Sequence, residues 1–381
     1  MTIEQVDRSD LLKDSLLGRR LTSGPGGMRT ISSTLCFLLI WERFPELGGM
    51  ECLPRREAVS GSTVPLALWS GGLSAKTIQR LHVGTRYLDH LPYTRKLYDV
   101  VTHHWWQLRR FKGMRPSRGL INPAKFAAHL EGLMDKDPQT GAALWPSGFS
   151  CVATCEDDAT QQEYQVIFTP HGIYLRSEDG KLEKVSNQPP PIGQAVVASC
   201  AIPLGFEPVQ FTLPDGRTIY CFDGSMTREG AIPMAAFTAV SGDNQHQHII
   251  LDVGEEQGWK GYLDTSVYRV LCGDKCIPDR AKVAEFLETA NANERENIYV
   301  HVNVTGIGVV DFNAGADQKW VATAGCVAPI AEALGLLNKE SLAMVRDMVT
   351  KLKPILANTQ STAEGELAQR IEAVFVEYGL Y

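Results

Sequence analysis

Short strand-like runs alternate with helix-length apolar segments along most of this 381-residue chain, and that alternation predicts a layered α/β sheet. Strand-like runs fall around Glu57 to Val59, at Tyr164 to Phe168, at His248 to Val253 and at Ile298 to Val304. Pro208 to Leu213 and Arg217 to Phe222 flank Pro214-Asp215-Gly216, whose Asp-Gly pair tolerates positive φ and predicts a hairpin. Helical segments are expected at Ile31 to Phe44, Val64 to Trp69, Ala281 to Ala292, Lys319 to Leu337, Lys339 to Leu356 and Ala363 to Tyr378. No repeat, low-complexity tract or linker divides the sequence. Residues 1–381 therefore read as one domain, with 1–20 a polar N-terminal segment and 77–133 a mainly helical insertion suited to a lid or a membrane-facing region.

Charge and cysteine usage narrow the function classes. With 37 Lys and Arg against 44 Asp and Glu the net charge is −7, so bulk electrostatics do not draw the chain to nucleic acid or an anionic bilayer. The strongest apolar run, Cys36 to Trp41, falls far short of the ~18 residues a membrane span needs. Acidic residues come early and no basic start precedes an apolar core, so no cleavable secretory signal is read. Nine scattered cysteines are the reverse of a disulfide framework, and Cys272 and Cys276 have no second pair at zinc-ligand spacing. A cytoplasmic protein without metal or other cofactor is expected, with export without a cleaved signal left open.

Three segments carry candidate chemistry. Ser60 lies in Ala58-Val59-Ser60-Gly61-Ser62, between a strand and an apolar helix, and a nucleophile on such a turn needs small residues two positions before and after it. Taken alone, the segment favours a helix-capping serine. Gly26-Gly27 with Arg29 opens a helix where free backbone N–H groups could hold an oxyanion or simply make a loop; a P-loop is excluded because Gly27 is followed by Met28-Arg29-Thr30. Asp223 ends the second hairpin strand before Gly224 and Ser225, a base at a sheet edge or an ordinary turn.

Together these pieces resemble the patatin-like lipid acyl hydrolases, and the SGST core is closer to the cytosolic phospholipase A2 branch. Ala58 to Ser74 (AVSGSTVPLALWSGGLS) resembles the family's nucleophile segment without gaps, and Gly26-Gly27-Met28-Arg29 its Gly-Gly-x-Arg oxyanion loop. Ala198-Ser199-Cys200-Ala201-Ile202-Pro203, Phe206-Glu207-Pro208-Val209 and Asp223-Gly224 resemble its A-S-x-A-I-P…F-x-P-V…D-G block. The resemblance implies a three-layer α/β/α fold with a central, mostly parallel sheet, and a Ser60–Asp223 dyad without metal. It further implies an oxyanion hole at Gly26 and Gly27 and a phosphate contact at Arg29 on a phospholipid or lysophospholipid. Ala58 and Ser225 depart from the family's glycine-rich pattern, and Gly18 to Ser23 is polar where a strand is expected.

The alternatives are a Ser-His-Asp triad, acyl transfer to another acceptor on the same dyad, and a binding or scaffold protein on an inactive hydrolase fold. His246, His248 and His301 sit in no recognisable catalytic turn and read as structural or solvated. Trp105, Trp106, Arg109 and Arg110 belong to an acid-free basic stretch, read either as a helix with buried tryptophans or as a transient contact with an anionic membrane. A nucleic-acid groove is disfavoured, since no second basic stretch completes it. A protein or small-molecule activator that opens a closed resting site is a further expectation.

Overall fold

The computed structural model describes residues 19–94, 119–160, 162–203, 205–226, 232–241, 248–254, 297–335, 338–359 and 363–381. The basic stretch with Trp105, Trp106, Arg109 and Arg110, the Cys272–Cys276 pair, His246 and the segment Ala281 to Ala292 lie outside them. The strands, numbered in chain order, are β1 (Arg20–Ser23), β2 (Arg55–Val59), β3 (Phe149–Asp157), β4 (Glu163–Thr169), β5 (Gly172–Arg176), β6 (Leu182–Ser186), β7 (Val209–Thr212), β8 (Thr218–Phe222), β9 (His248–Val253) and β10 (Ile298–Val302). They form one ten-stranded sheet in the order β10-β9-β1-β2-β3-β4-β5-β6, with β8 also on β3 and β7 on β8. Strands β10, β9, β1, β2 and β3 are mutually parallel, and the rest extend the sheet antiparallel.

Helices cover both faces, giving the three layers expected. On one face lies α1 (Met28–Arg43), buried continuously from Met28 to Trp41, as an all-round apolar helix must be. Beside it pack α2 (Thr63–Ser70) and α3 (Ala75–Gly84), the latter capped by the Ser74 side chain accepting from Thr77 N–H. The short α4 (Tyr87–His90), α5 (Ala124–Leu133) and α6 (Ile192–Ser199) follow. On the other face α7 (Met234–Ser241) packs Ala236 and Phe237 against Val152 and Ile167. The expected single helix at Lys319 to Leu337 divides at Gly325-Cys326 into α8 (Ala316–Gly325) and α9 (Val327–Leu334), before α10 (Lys339–Ala357) and α11 (Glu366–Glu377).

The polar segment ahead of the glycine loop is the central strand β1. Its alternation is satisfied by paired charge: Leu21 enters the apolar core on one side, while Arg20 and Thr22 turn to the other and meet Glu57 of β2. Arg20 Nε and Nη2 donate to Glu57 Oε1 at 2.8 and 2.5 Å, Nη2 also donates to the Phe237 carbonyl, and Thr22 donates to Glu57 Oε2 at 3.0 Å. Burial of such a pair is tolerable because each partner satisfies the other.

Candidate functional site

The register of β3 accounts for the meeting of two distant turns. Strand β4 takes one edge of β3 from Cys151 to Glu156, so β2 and β8 share the other. Strand β2 runs parallel to β3 and ends with Val59 opposite Val152; β8 runs antiparallel and ends with Phe222 opposite Thr154. Their C-terminal ends therefore point at each other across the single residue Ala153, and the next residues are Ser60 and Asp223. Ser60 Oγ donates to Asp223 Oδ2 at 2.7 Å, and the two residues are only 4% and 1% exposed.

Ser60 is held in an unfavourable backbone conformation by its neighbours. Its φ of 60° is the only positive value at a non-glycine among the described residues, and side chains disfavour that region because Cβ crowds the carbonyl. Its N–H donates to Ser199 Oγ at 2.9 Å, and Ser199 Oγ donates to the Val152 carbonyl at 2.6 Å. The Ser60 carbonyl accepts from Thr63 Oγ1 at 2.6 Å and Cys200 Sγ at 3.0 Å. Ser62 Oγ bonds the Val59 and Ser23 carbonyls, both at 2.8 Å, tying the turn to β1. Ala58 is fully buried within β2, so the departure from glycine there is taken up by ordinary core packing.

The glycine loop lies directly over this turn. A Cβ on Gly61 would stand 2.2 Å from the Gly27 carbonyl oxygen, so that approach requires glycine at 61. Gly26 and Gly27 have φ of 146° and 55°, are half-buried, and among the described residues no acceptor takes their N–H groups. Arg29 is buried and donates from Nε and Nη2 to the Val304 carbonyl at 3.3 and 3.0 Å, turning it toward the loop after β10.

Asp223 is bonded at every side. Its N–H donates to the Ala201 carbonyl at 2.9 Å, and Oδ1 accepts from Ser225 N–H at 2.9 Å and Ser225 Oγ at 2.7 Å. Burial raises the carboxyl pKa above its ordinary value, against the opposing pull of the bonds from Ser60 and Ser225. A Cβ on Gly224 would stand 2.1 Å from the Val152 carbonyl oxygen, so glycine lets this turn sit against β3. Residues 199–201 thus grip both turns, a role the sequence signals only through the motif containing them.

Among the described residues no histidine bonds to either member of the pair. His82 bonds Tyr87 at 2.8 Å and is kept neutral by burial, which lowers its pKa to about 3, while His301 pairs with Asp252 at 3.3 Å. No group of three or more metal-ligating side chains occurs among the described residues, and no described helix is long and apolar enough to cross a membrane.

Fold and site define an α/β protein of the fold implied by the resemblance to patatin-like lipid acyl hydrolases, with a buried serine–carboxylate pair at a strained strand-to-helix turn. No family model and no curated protein sequence matches the chain. Among solved structures it is similar to VipD from Legionella pneumophila over 94% of this chain and 79% of that one, at 12% identity and a TM-score of 0.35. It is similar to the type III effector ExoU over 94% of this chain and 68% of that one, at 12% identity and a TM-score of 0.35. Likeness to human GIVD cytosolic phospholipase A2 covers 51% of this chain and 30% of that one, at 14% identity and a TM-score of 0.28.

Proposed function

We propose that the chain is a serine-dependent lipid acyl hydrolase, cleaving fatty-acyl esters of phospholipids or lysophospholipids through a Ser60–Asp223 dyad. The observation that carries this reading is the 2.7 Å bond from Ser60 Oγ to Asp223 Oδ2 on a turn strained at Ser60. In the forward step Oγ bonds to the ester carbonyl carbon as its proton passes to Oδ2. Collapse of the tetrahedral intermediate breaks the bond to the alcohol, whose oxygen takes that proton, and water then repeats the sequence on the acyl-enzyme. A carboxylate is a weak base toward an alcohol, and burial, by raising its proton affinity, makes it a better one. The N–H groups of Gly26 and Gly27 are the donors for the intermediate's oxyanion, beside the turn that carries the nucleophile.

Arg29 is assigned to the phosphate of the substrate on the motif alone; its bonds to the Val304 carbonyl make a released guanidinium part of that assignment. Incubating the purified chain and its Ser60→Ala variant with mixed phospholipid vesicles, with and without chelator, tests the reading. Ser60-dependent release of fatty acid and lysophospholipid that survives chelation is expected, followed by mass spectrometry. Equal release by both proteins would refute it.

A further inference from the structure

Asp223 uses its two oxygens differently. Oδ2 faces Ser60, while Oδ1 takes two hydrogen bonds from one residue, the N–H and the hydroxyl of Ser225, at 2.9 and 2.7 Å. Any residue but proline at 225 supplies the N–H; the second donor comes from the serine hydroxyl. Both bonds favour the ionised carboxyl, since the anion is the better acceptor, and they oppose the upward push of burial. We propose that the Ser225 hydroxyl is a positioning residue for the base, setting the proton affinity of Asp223 and with it the pH at which Ser60 becomes nucleophilic.

The surroundings leave this task to few groups. From the end of α6 the Cys200 thiol donates to the Ser60 carbonyl at 3.0 Å, and burial pushes its pKa up to about 12, so it stays neutral. From the turn after β2 comes Ser60 itself; from β3 come the Val152 carbonyl and Val152's neighbours, none of them charged. The Arg29 guanidinium is engaged with the Val304 carbonyl. Among the described residues no cation bonds the carboxyl, so neutral donors alone offset its burial. Hydroxyl donation to an anion in so dry a site is worth on the order of one pH unit. Ser225 itself is half-buried.

This inference rests on the dyad reading, and two readouts separate their fates. The first is the rate at which a fluorophosphonate captures Ser60 in the wild type, Ser225→Ala and Ser225→Thr across the range of about pH 4 to 9. The second is the titration of the Asp223 carboxyl followed by carbon-13 resonances of labelled aspartate, assigned with Asp223→Asn. Ser225→Ala should move the acid limb of capture and the carboxyl titration upward by about one pH unit, leaving the alkaline plateau equal or higher, and Ser225→Thr should restore both. Loss of rate at all pH values without movement of either curve would mean a structural role and overturn the proposal. Should Ser225→Ala fold poorly, Ser225→Gly provides the same loss of hydroxyl and the same expected shifts. A shifted titration without capture of the wild type at any pH would uphold the hydrogen bond and overturn the dyad instead.

Discussion

Strain at the nucleophile makes a stability prediction that runs against the usual order of residues. Ser60→Ala and Ser60→Gly both remove the hydroxyl that bonds Asp223, so the loss at Oδ2 cancels in a comparison of the two. They differ by one methyl group. In the left-handed region Cβ costs about 1–2 kcal/mol, a term that Ser60→Ala keeps and Ser60→Gly sheds. Opposing it, alanine loses less chain entropy on folding than glycine, by about 0.4–1 kcal/mol. The difference leaves Ser60→Gly the more stable by ~0.8 kcal/mol, equivalent to a rise of ~0.3 M in urea midpoint at a slope of ~3 kcal/mol per molar. Urea unfolding followed by tryptophan fluorescence, both variants at one pH, provides the measurement. A higher midpoint for Ser60→Ala would refute the claim that strain is stored at this turn.

Removing the Ser199 hydroxyl should strand the Ser60 N–H and the Val152 carbonyl in the core, lowering unfolding free energy by about 1–3 kcal/mol in Ser199→Ala, read by denaturation, and slowing fluorophosphonate capture. Gly61→Ala should push the Gly27 carbonyl away from the turn and reduce Ser60-dependent hydrolysis by about 100- to 1000-fold as the donors lose alignment; turnover within threefold of wild type would contradict it. Because burial raises the folded pKa of Asp223, the native state binds the extra proton: this favours folding below the ordinary value of about 4 and is lost as pH rises through the folded value. Asp223→Asn should therefore gain stability relative to wild type as pH rises from about 4 toward 7, and a variant-minus-wild-type stability difference that falls over that range would contradict this sign. Glu57→Ala should remove the buried carboxylate to which Arg20 and Thr22 both donate and destabilise by about 3–5 kcal/mol, measured by urea unfolding.

What the sequence discloses about this molecule divides by the range of the interactions involved. The hairpin β7–β8 and the passage from β2 through Ser60-Gly61-Ser62 into α2 are legible because they rest on adjacent residues: Asp215-Gly216 for the first, small residues and a tolerated Pro65 for the second. Ser60 and Asp223 are legible as two separate turns, each ambiguous alone. Their distance of 2.7 Å follows from the shared edge of β3, which no local pattern specifies. Ser199 is harder still, since its work is done 139 residues away, on the N–H of Ser60.

The strand β1 is the instructive failure of pattern reading. Hydropathy treats Arg20 and Thr22 as surface residues, yet both are fully buried at the centre of the parallel half of the sheet, because Glu57 lies across the register from Thr22 and accepts from both. A charge pair between adjacent strands does what two apolar side chains would do in covering the α7 face, and it adds directionality. Arg20 can meet Glu57 only in this alignment, and a one-residue slip would turn Glu57 to the opposite face. The same alignment sets Ser23 opposite Ala58, two residues before Ser60, and lets Ser62 reach the Ser23 carbonyl. The polar strand that hides from hydropathy thus holds the glycine loop at Gly26-Gly27 in register with the turn bearing Ser60, so that a fault in the Arg20–Glu57 pair would reach the site through alignment as well as through stability.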